Sequence, residues 1–383
     1  MNSASNSIIE IDRSLDRLIG KLELLAYINP QNIAKEKKTF FQKRYNYEPN
    51  FKYRKIKFNP YKLHRLFFSQ RLERIDNEII RDFYKDIIYY YSGMVECIET
   101  IGDTGNKFYY NSLRYYGTPT EKMVENARFI LHYTDNIEEN QKEDEFLTTE
   151  EAISFFEDYK VNYNFDFTIK TSSAMSASAM VSNIDQALIL KRNSKFSKHQ
   201  LNVLAHHEIG VHLVTTFNAL EQPLKVFKNG FPNNVETQEG LAVMAEYMTN
   251  NLTIDRLREL AYRVIAVDSL LKGYTFTDTF DLLHTKYKLD RDKAFAITLR
   301  VHRGGGFTKD ALYLSGLKKI YDLFKEDQSI ELQLRGKCSL EYSGIVQELE
   351  REGLSIPISY DSLSLKNNLN TNETLDFILK HLK

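Results

Sequence analysis

The segment 206–212, His-His-Glu-Ile-Gly-Val-His, constrains the fold of this chain more than any other. Its His207 and His212 are five positions apart and enclose Glu208. In the familiar metal-binding motif His-Glu-x-x-His, the histidines are four apart, so both lie on one face of a helix. At five apart they would diverge by about 140° on a regular α-helix, which is too far for one tetrahedral ion. Either the histidines share no ligand, or the helix that carries them is distorted.

A single wide turn of π type would provide this distortion, because it brings residues i and i+5 close to the same face. Gly210 lies between the histidines, where an α-helix disfavours glycine unless backbone room is needed. The sequence therefore predicts a helix that is widened near Gly210. The alternative is an ordinary helix whose histidines are buried and neutral, or exposed, without a metal.

A catalytic zinc ion needs three protein ligands and an open position for water. Glu239 is the candidate third ligand, in the segment Thr-Gln-Glu-Gly-Leu-Ala at the start of a helix predicted to end near residue 250. A glutamate there can also simply complement the helix dipole. Beside the histidine pair, it predicts that His207, His212 and Glu239 bind one zinc ion. Glu208 would then take a proton from the bound water and deliver it to the leaving group.

Two further predictions concern the surroundings of this site. His206 points away from the predicted metal face, so we expect it to pack or to support a ligand. A ligand histidine is usually oriented by a carboxylate or a carbonyl group, and Glu246 or Glu236 could serve here.

A second patch, residues 300–313, contains three consecutive glycines between two predicted helices, with cations on both sides. Glycines allow positive φ or close backbone approach, which is typical of an anion-binding loop. We expect the cations to bind a substrate carboxylate; they are Arg300, Arg303 and Lys309. Tyr313 or His302 would donate a hydrogen bond to an oxyanion. A plain helix connector with solvated charges is the alternative interpretation.

Composition places the chain among globular proteins, since 42% of its 383 residues are hydrophobic. The formal net charge of −1 gives no indication of a nucleic-acid partner. The only cysteines, Cys97 and Cys338, favour a reducing compartment over a disulfide framework. Residues 1–12 lack the pattern of a secretion signal, and no apolar stretch is long enough for a membrane span. We therefore expect a cytoplasmic protein without a membrane or nucleic-acid partner.

The hydrophobic patterns predict a helix-dominated α+β fold in three parts. Residues 1–135 form an N-terminal helical region with a short strand at 51–58, followed by an acidic linker at 136–145. Residues 146–327 form a zincin-like catalytic core, and residues 328–383 form a C-terminal α/β extension packed on that core. The helices expected in the N-terminal region are at 7–27, 31–44, 66–100, 106–115 and 120–133.

The predicted core begins with a small sheet. Alternating patterns at 161–170 and 187–191 are typical of strands. Residues 197–200 form a predicted capping box that opens the helix of the metal site, and helices follow to about residue 327. A strand just before this helix would let a substrate peptide pair along an exposed sheet edge beside the metal.

These motifs, in this order, resemble the QEGLA-motif family of bacterial proteins, which shares its domain with the eukaryotic microtubule-associated tyrosine carboxypeptidases. The matching segments are 207–212, Asn218 with 222–224, 238–242, and 303–310 with Tyr313 and Leu314. Weaker matches are at 29–32, 51–53 and 112–117. The resemblance covers most of residues 10–325.

The resemblance implies a zinc metallopeptidase that removes a C-terminal residue, which is tyrosine from tubulin in the eukaryotic branch. By position, it gives zinc to His207, His212 and Glu239, and catalysis to Glu208. The chain looks closer to the bacterial branch, so tubulin is not the expected substrate. It also departs from gluzincins, whose ligand glutamate is followed four residues later by aspartate, because Val243 occupies that position.

The leading interpretation is a cytosolic, zinc-dependent, carboxypeptidase-like hydrolase that acts on the C-termini of peptides or proteins. A regulatory or binding protein, in which a metal only ties two helices together, is one alternative. Glu208 favours the enzyme, because a structural site needs no base and is usually closed by a fourth Cys or His. A zinc hydrolase of a non-peptide amide is the other alternative.

Overall fold

The computed structural model describes residues 3–20, 22–103, 105–135, 145–173, 175, 177–183 and 185–383. The predicted linker at 136–145 lies outside the described residues except for Glu145. Helices dominate and the strands are short, so the predicted helix-dominated α+β class is confirmed. None of the described helices is both long enough and apolar enough to cross a membrane.

The first part of the described chain is helical. Its helices are α1 (Ser3–Ile19), α2 (Leu24–Ile28), α3 (Ile33–Gln42), α4 (Pro60–Phe68), α5 (Glu78–Glu99), α6 (Lys107–Tyr116) and α7 (Glu121–Tyr133). The helix predicted at 7–27 is divided into α1 and α2, and the one predicted at 66–100 into α4 and α5. Asn77 starts α5 anew, because its side-chain oxygen accepts hydrogen bonds from the backbone N–H groups of Ile79 and Ile80. The other three predicted helices correspond to α3, α6 and α7.

The strand predicted at 51–58 is wrong. This segment is extended coil that bonds to the loop before α3: Gln31 N–H donates to the Lys52 carbonyl, and Lys52 N–H donates to the Asn32 side chain. Its aromatic and aliphatic side chains are half-buried, whereas its lysines and Arg54 are exposed. The alternating pattern therefore reflects burial on one side, which needs no partner strand.

The described residues contain five short strands: β1 (Phe146–Leu147), β2 (Thr168–Ser172), β3 (Ala179–Ser182), β4 (Ala187–Lys191) and β5 (Phe196–Ser197). β1 pairs with β5, and the other three form a sheet in the order β2–β4–β3, with β2 parallel and β3 antiparallel to β4. The strand predicted at 187–191 is confirmed as β4. The one predicted at 161–170 begins only at Thr168, because Tyr163 and Phe165 are buried in the hydrophobic core instead of pairing. β3 lies at an edge of the sheet.

Helices surround this sheet and continue beyond it. They are α8 (Thr149–Lys160), α9 (Lys198–Leu204), a π-helix (Ala205–Leu213), α10 (Val214–Glu221), α11 (Val226–Asn229), α12 (Asn234–Met248), α13 (Ile254–Leu271), α14 (Phe276–Asp281), a short π-helix (Leu282–Lys286), α15 (Arg291–His302) and α16 (Leu312–Lys325). Ser197 caps α9 by accepting from Gln200 N–H, but the Gln200 side chain donates to Ser178. The predicted capping box is therefore only half formed.

Residues 328–383 are all described and contain α17 (Glu331–Leu334), α18 (Ser343–Arg351), α19 (Glu373–His381) and short 3-10 turns. They contain no strand, so the α/β character predicted for this segment is wrong. Buried side chains of α19 belong to the same hydrophobic cluster as those of α12 and α13, which shows that the segment packs on the core. The division of the chain into three parts stays a prediction.

Two glycines bring α12 and α16 into direct contact. A Cβ atom on Gly240 would lie 2.4 Å from the carbonyl carbon of Gly316, so only glycine fits at this crossing. Glu239, the predicted third metal ligand, precedes Gly240 on α12. The crossing therefore fixes the part of α12 that carries this ligand.

Candidate metal centre

The predicted metal-site helix is continuous from α9 through the π-helix to α10, and Ala205–Leu213 is the widened part. The widening predicted near Gly210 is confirmed. It brings the rings of His207 and His212 together, with their centroids 5.0 Å apart. Both imidazoles therefore lie on one face of the helix despite their spacing of five.

Glu239, on α12, meets the two histidines. Its Oε2 lies 3.7 Å from His207 Nε2 and 3.8 Å from His212 Nε2. One possible ligand atom from each of the three residues lies within 4.8 Å of the others. Ligand atoms around a tetrahedral zinc ion are about 3.4 Å apart, given metal–ligand bonds of about 2.0–2.1 Å. The structure thus brings the predicted group together at a spacing that fits one metal ion.

The electrostatics of this group favour a cation. Burial lowers the pKa of His207, but hydrogen bonds to Glu239 and Glu246 outweigh burial and raise it to about 10. Burial and the neighbouring His207 hold the pKa of His212 well below its usual range. Burial raises the pKa of Glu239, yet Lys309 and the two histidines bring it well below its usual range. The group therefore attracts positive charge: Glu239 is a carboxylate, His212 is a neutral imidazole, and the proton held by His207 lies where a metal ion could replace it.

Glu246 orients one of the ligands. Its Oε1 accepts a hydrogen bond from His207 Nδ1 at 2.8 Å, which holds the Nε2 atom of His207 facing Glu239. A metal ion bound there would replace the Nε2 proton. Glu246 is fully buried and also accepts from Arg256 Nε at 3.2 Å. Of the two carboxylates considered from the sequence, Glu246 is therefore the one that contacts a ligand. Glu236 instead pairs with Lys319.

Glu208 lies next to this group in the chain, and 8% of it is exposed. Burial raises the pKa of Glu208 above its usual value. Its carboxylate accepts a hydrogen bond from the backbone N–H of Val181, which belongs to the edge strand β3. The predicted base is therefore held at the sheet edge where a peptide could pair.

Lys309 contacts Glu239, the predicted third ligand. Its Nζ donates to Glu239 Oε1 at 2.7 Å and to the Tyr313 hydroxyl at 3.1 Å. The other oxygen of Glu239, Oε2, faces the two histidines. This contact engages a cation that we expected to bind a substrate carboxylate.

Two more residues of the glycine patch have partners within the protein. Arg300 forms a two-point ion pair with the buried carboxylate of Asp310. His302 Nε2 hydrogen-bonds the Thr279 hydroxyl at 2.8 Å. Burial lowers the pKa of His302 to about 4, so its imidazole is neutral at pH 7.

Arg303 differs from the other two cations of the patch. It donates to the side-chain oxygen of Asn29 at 2.8 Å and stacks on the ring of Phe307. Its Nε is buried without a hydrogen-bond partner among the described residues. The three glycines that follow all have positive φ, as expected: 75°, 110° and 132° at residues 304–306. Within the described chain, Arg303 is thus the cation of this patch for which no carboxylate contact is seen.

Comparison with known families gives this arrangement a context. The sequence model of one family, described as microtubule-associated tyrosine carboxypeptidase, matches residues 38–383. The chain belongs to this family. The match spans the π-helix, Glu239 and the glycine patch, so the resemblance inferred from the motifs is confirmed. A comparison with curated proteins found no match.

Membership in the tyrosine carboxypeptidase family supports a carboxypeptidase-like peptidase.

One residue beside the metal-binding group was not indicated by any sequence motif: Lys337. Lys337 donates to the His212 carbonyl at 3.1 Å and to the Thr215 hydroxyl at 3.0 Å. Burial lowers its pKa to about 8. No local pattern indicates this residue, because it is 125 positions from His212 in the chain.

His206 supports the helix from the side opposite the metal group. Its Nδ1 hydrogen-bonds Ser364 Oγ at 2.9 Å and the Tyr159 hydroxyl at 3.2 Å. The group that could bind a metal ion does not include it. This agrees with the packing or supporting role that the sequence predicts.

Proposed function

We propose that this chain is a zinc-dependent metallopeptidase with a zincin-like core, which cleaves the last residue from peptides or proteins. The proposal depends mainly on one observation: His207, His212 and Glu239 converge beside the buried carboxylate of Glu208. Three protein ligands leave one tetrahedral position open for water, as in catalytic zinc sites. A bound zinc ion would supply Lewis acidity and lower the pKa of that water.

Glu208 acts as the general base in this proposal. It accepts a proton from the attacking water and returns it to the amine that leaves. A raised pKa suits this double role, because the carboxyl group must both take up and release a proton near neutral pH. The hydrogen bond from Val181 holds the carboxylate beside β3, and the free edge of β3 offers backbone groups for pairing with the substrate.

Tyr313 stabilises the developing oxyanion. Lys309 donates to the Tyr313 hydroxyl, so the proton of that hydroxyl is free to donate to the substrate. His302, the other residue considered for this role, already uses its Nε2 in the bond to Thr279. We therefore favour Tyr313.

Arg303 binds the terminal carboxylate of the substrate. A carboxypeptidase needs a positive group near the metal to select free C-termini. Of the three cations considered, Arg300 faces Asp310 and Lys309 faces Glu239, whereas Arg303 keeps a buried, unpaired Nε. The family description names tyrosine, so a C-terminal tyrosine is the first side chain to test.

Because Cys97 and Cys338 are free and buried, we also propose a cytoplasmic location.

The test combines metal analysis with mass spectrometry of a peptide library treated with three proteins: wild type, Glu208→Gln, and the control Glu221→Gln. Glu221 is an exposed residue at the end of α10. We expect about one zinc ion per chain in all three proteins, and a loss of turnover of about 10²–10⁴-fold in Glu208→Gln alone.

Other results would separate the alternatives. Cleavage by metal-free protein would contradict the proposal. Bound zinc without cleavage of any peptide would favour a metal-stabilised binding protein. Cleavage of non-peptide amides, without cleavage of any peptide, would favour a zinc hydrolase whose substrate is a non-peptide amide.

A further inference from the structure

The C-terminal segment donates hydrogen bonds to two backbone carbonyl groups of the widened helix. Ser362 Oγ donates to the Gly210 carbonyl at 2.6 Å, in the middle of the π-helix. Lys337 Nζ donates to the His212 carbonyl at 3.1 Å. Both donors come from residues beyond 327 and both are buried. The His212 carbonyl also accepts from the Thr216 hydroxyl at 2.6 Å, so Lys337 adds a further donor to it. A π-turn is rare because it gives up regular α-helical bonds, so donors from outside the helix stabilise this form.

Gly210 makes this contact possible. A Cβ atom at position 210 would lie 2.1 Å from Ser364 Oγ and 2.9 Å from Ser364 Cβ. The short 3-10 turn Leu363–Leu365 therefore rests directly on the backbone of the wide turn. Ser364 also hydrogen-bonds His206, the residue before ligand His207. The glycine between the two metal ligands is thus explained by contact with a segment about 150 residues away in sequence.

Asn218 on α10 and Gln222, which directly follows α10, hold this segment in place. The Asn218 side chain donates to the Tyr360 carbonyl at 2.9 Å and accepts from the backbone N–H of Ser359 at 3.0 Å. The Gln222 side chain bonds to both backbone groups of Ile356. Asn218 and Gln222 are among the residues that carry the family resemblance, and the sequence alone assigned them no role. Their contacts join the end of the metal-site helix to the C-terminal segment.

We propose that residues 355–365 and Lys337 form a clamp that holds the wide turn open and thereby sets the geometry of the metal site. Ser362 and Lys337 are positioning residues, because they donate to backbone carbonyl groups of the wide turn and not to the substrate. Ser364 lies against Gly210 and hydrogen-bonds the ring of His206. The proposal depends on the proposed function for the identity of the metal. In this view, the C-terminal segment is part of the metal site and not an appendage to it.

The main test uses Gly210→Ala, Ser364→Gly and the double variant. The new methyl group of Gly210→Ala collides with Ser364, so the wide turn and the 3-10 turn that lies on it must move apart. We expect zinc affinity, measured by competition with a chelator, to fall at least about tenfold, and the visible spectrum of the cobalt(II)-substituted protein to change. Ser364→Gly removes the colliding atoms, so the double variant is expected to recover affinity and spectrum. Unchanged affinity and spectrum in Gly210→Ala, or no recovery in the double variant, would overturn the clamp.

A milder variant keeps the test valid if Gly210→Ala does not fold. Ser362→Ala removes only the hydroxyl that donates to the Gly210 carbonyl, and we expect zinc affinity to fall about tenfold. The matched control is Ser359→Ala, whose exposed side chain lies in the same segment. A Ser362→Ala protein with the affinity and cobalt spectrum of the control would overturn the proposal. Wild-type protein that binds neither zinc nor cobalt would refute the proposed function and, with it, the clamp.

Discussion

The metal-binding group and the charged cluster around Asp310 are both largely buried, but they differ in the kind of partner that they lack. The first lacks a cation, and the second lacks an acceptor for its hydrogen-bond donors. In the metal-binding group, the Nε2 atoms of His207 and His212 face Oε2 of Glu239, and a metal ion there would replace the proton that His207 holds. In the cluster, both oxygens of Asp310 already accept from Arg300, and among the described residues the unpaired buried atoms near it are donors, Arg263 Nε and Arg303 Nε. The first region is therefore suited to a cation and the second to an anion. The atom that a buried polar region leaves unpaired indicates which ligand it binds.

The largest expected effect concerns the first region. His212→Ala removes one of three ligands, so zinc affinity should fall more than about a thousandfold, because zinc-binding free energies of about 10–16 kcal/mol are shared among few ligands. Competition with a chelator measures the dissociation constant. His199→Ala, on α9, is the control and should bind zinc like wild type. Near-normal affinity in His212→Ala would show that this group is not the metal site.

The second effect concerns the cluster. Asp310→Ala removes the carboxylate that pairs with Arg300. The free energy of unfolding should fall by about 3–4 kcal/mol, since a buried charge loses its partner. Urea denaturation measures it. The double variant Arg300→Met, Asp310→Leu replaces the pair by apolar groups and should lose less. A change below about 1 kcal/mol in Asp310→Ala would mean that water already reaches the pair.

A smaller effect is expected from the partner of His207. Glu246→Gln weakens the hydrogen bond that orients the imidazole, so zinc affinity should fall about 10- to 100-fold. Isothermal titration with zinc measures this change. Glu236→Gln is the control, because Glu236 pairs with Lys319 and makes no ligand contact. If both variants bind zinc equally well, Glu246 does not orient the ligand.

The smallest effect on stability is expected at Arg303. Arg303→Met removes a cation without a carboxylate partner, so the free energy of unfolding should change by less than about 1 kcal/mol. In contrast, KM should rise for peptides with a free C-terminal carboxylate and stay the same for amidated peptides. Steady-state kinetics on matched peptide pairs measures both. An equal rise for both kinds of peptide would argue against carboxylate recognition.

The metal-binding group could be predicted because its constraints are local. Two histidines five apart can share an ion only on a widened helix, so the spacing of His207 and His212 predicts both the ligands and the π-turn. Glu239 followed from the need for a third ligand. Glu246 was one of two candidates, because spacing alone does not say which carboxylate of α12 faces the histidines.

Long-range contacts could not be predicted in the same way. Ser362 and Lys337 contact the π-helix from 152 and 125 positions away, and no pattern near them reports this. The strand predicted at 51–58 failed for a related reason. Alternating burial arises wherever an extended segment lies on a surface, and only the identity of its neighbour decides whether a ladder forms. In this chain the neighbour is the loop before α3.

The contact between Gly240 on α12 and Gly316 on α16 fixes the distance between these two helices in the site. Main-chain atoms of Gly240 and Gly316 touch, and a Cβ on Gly316 would lie 2.1 Å from the Glu236 carbonyl oxygen. The separation of Glu239 from the helix that carries Tyr313 is therefore set by the radii of backbone atoms. Substitutions elsewhere in the core can accumulate over evolution without changing that separation. A side chain at position 240 or 316 would force the two helices apart and move Glu239 away from the other two predicted ligands.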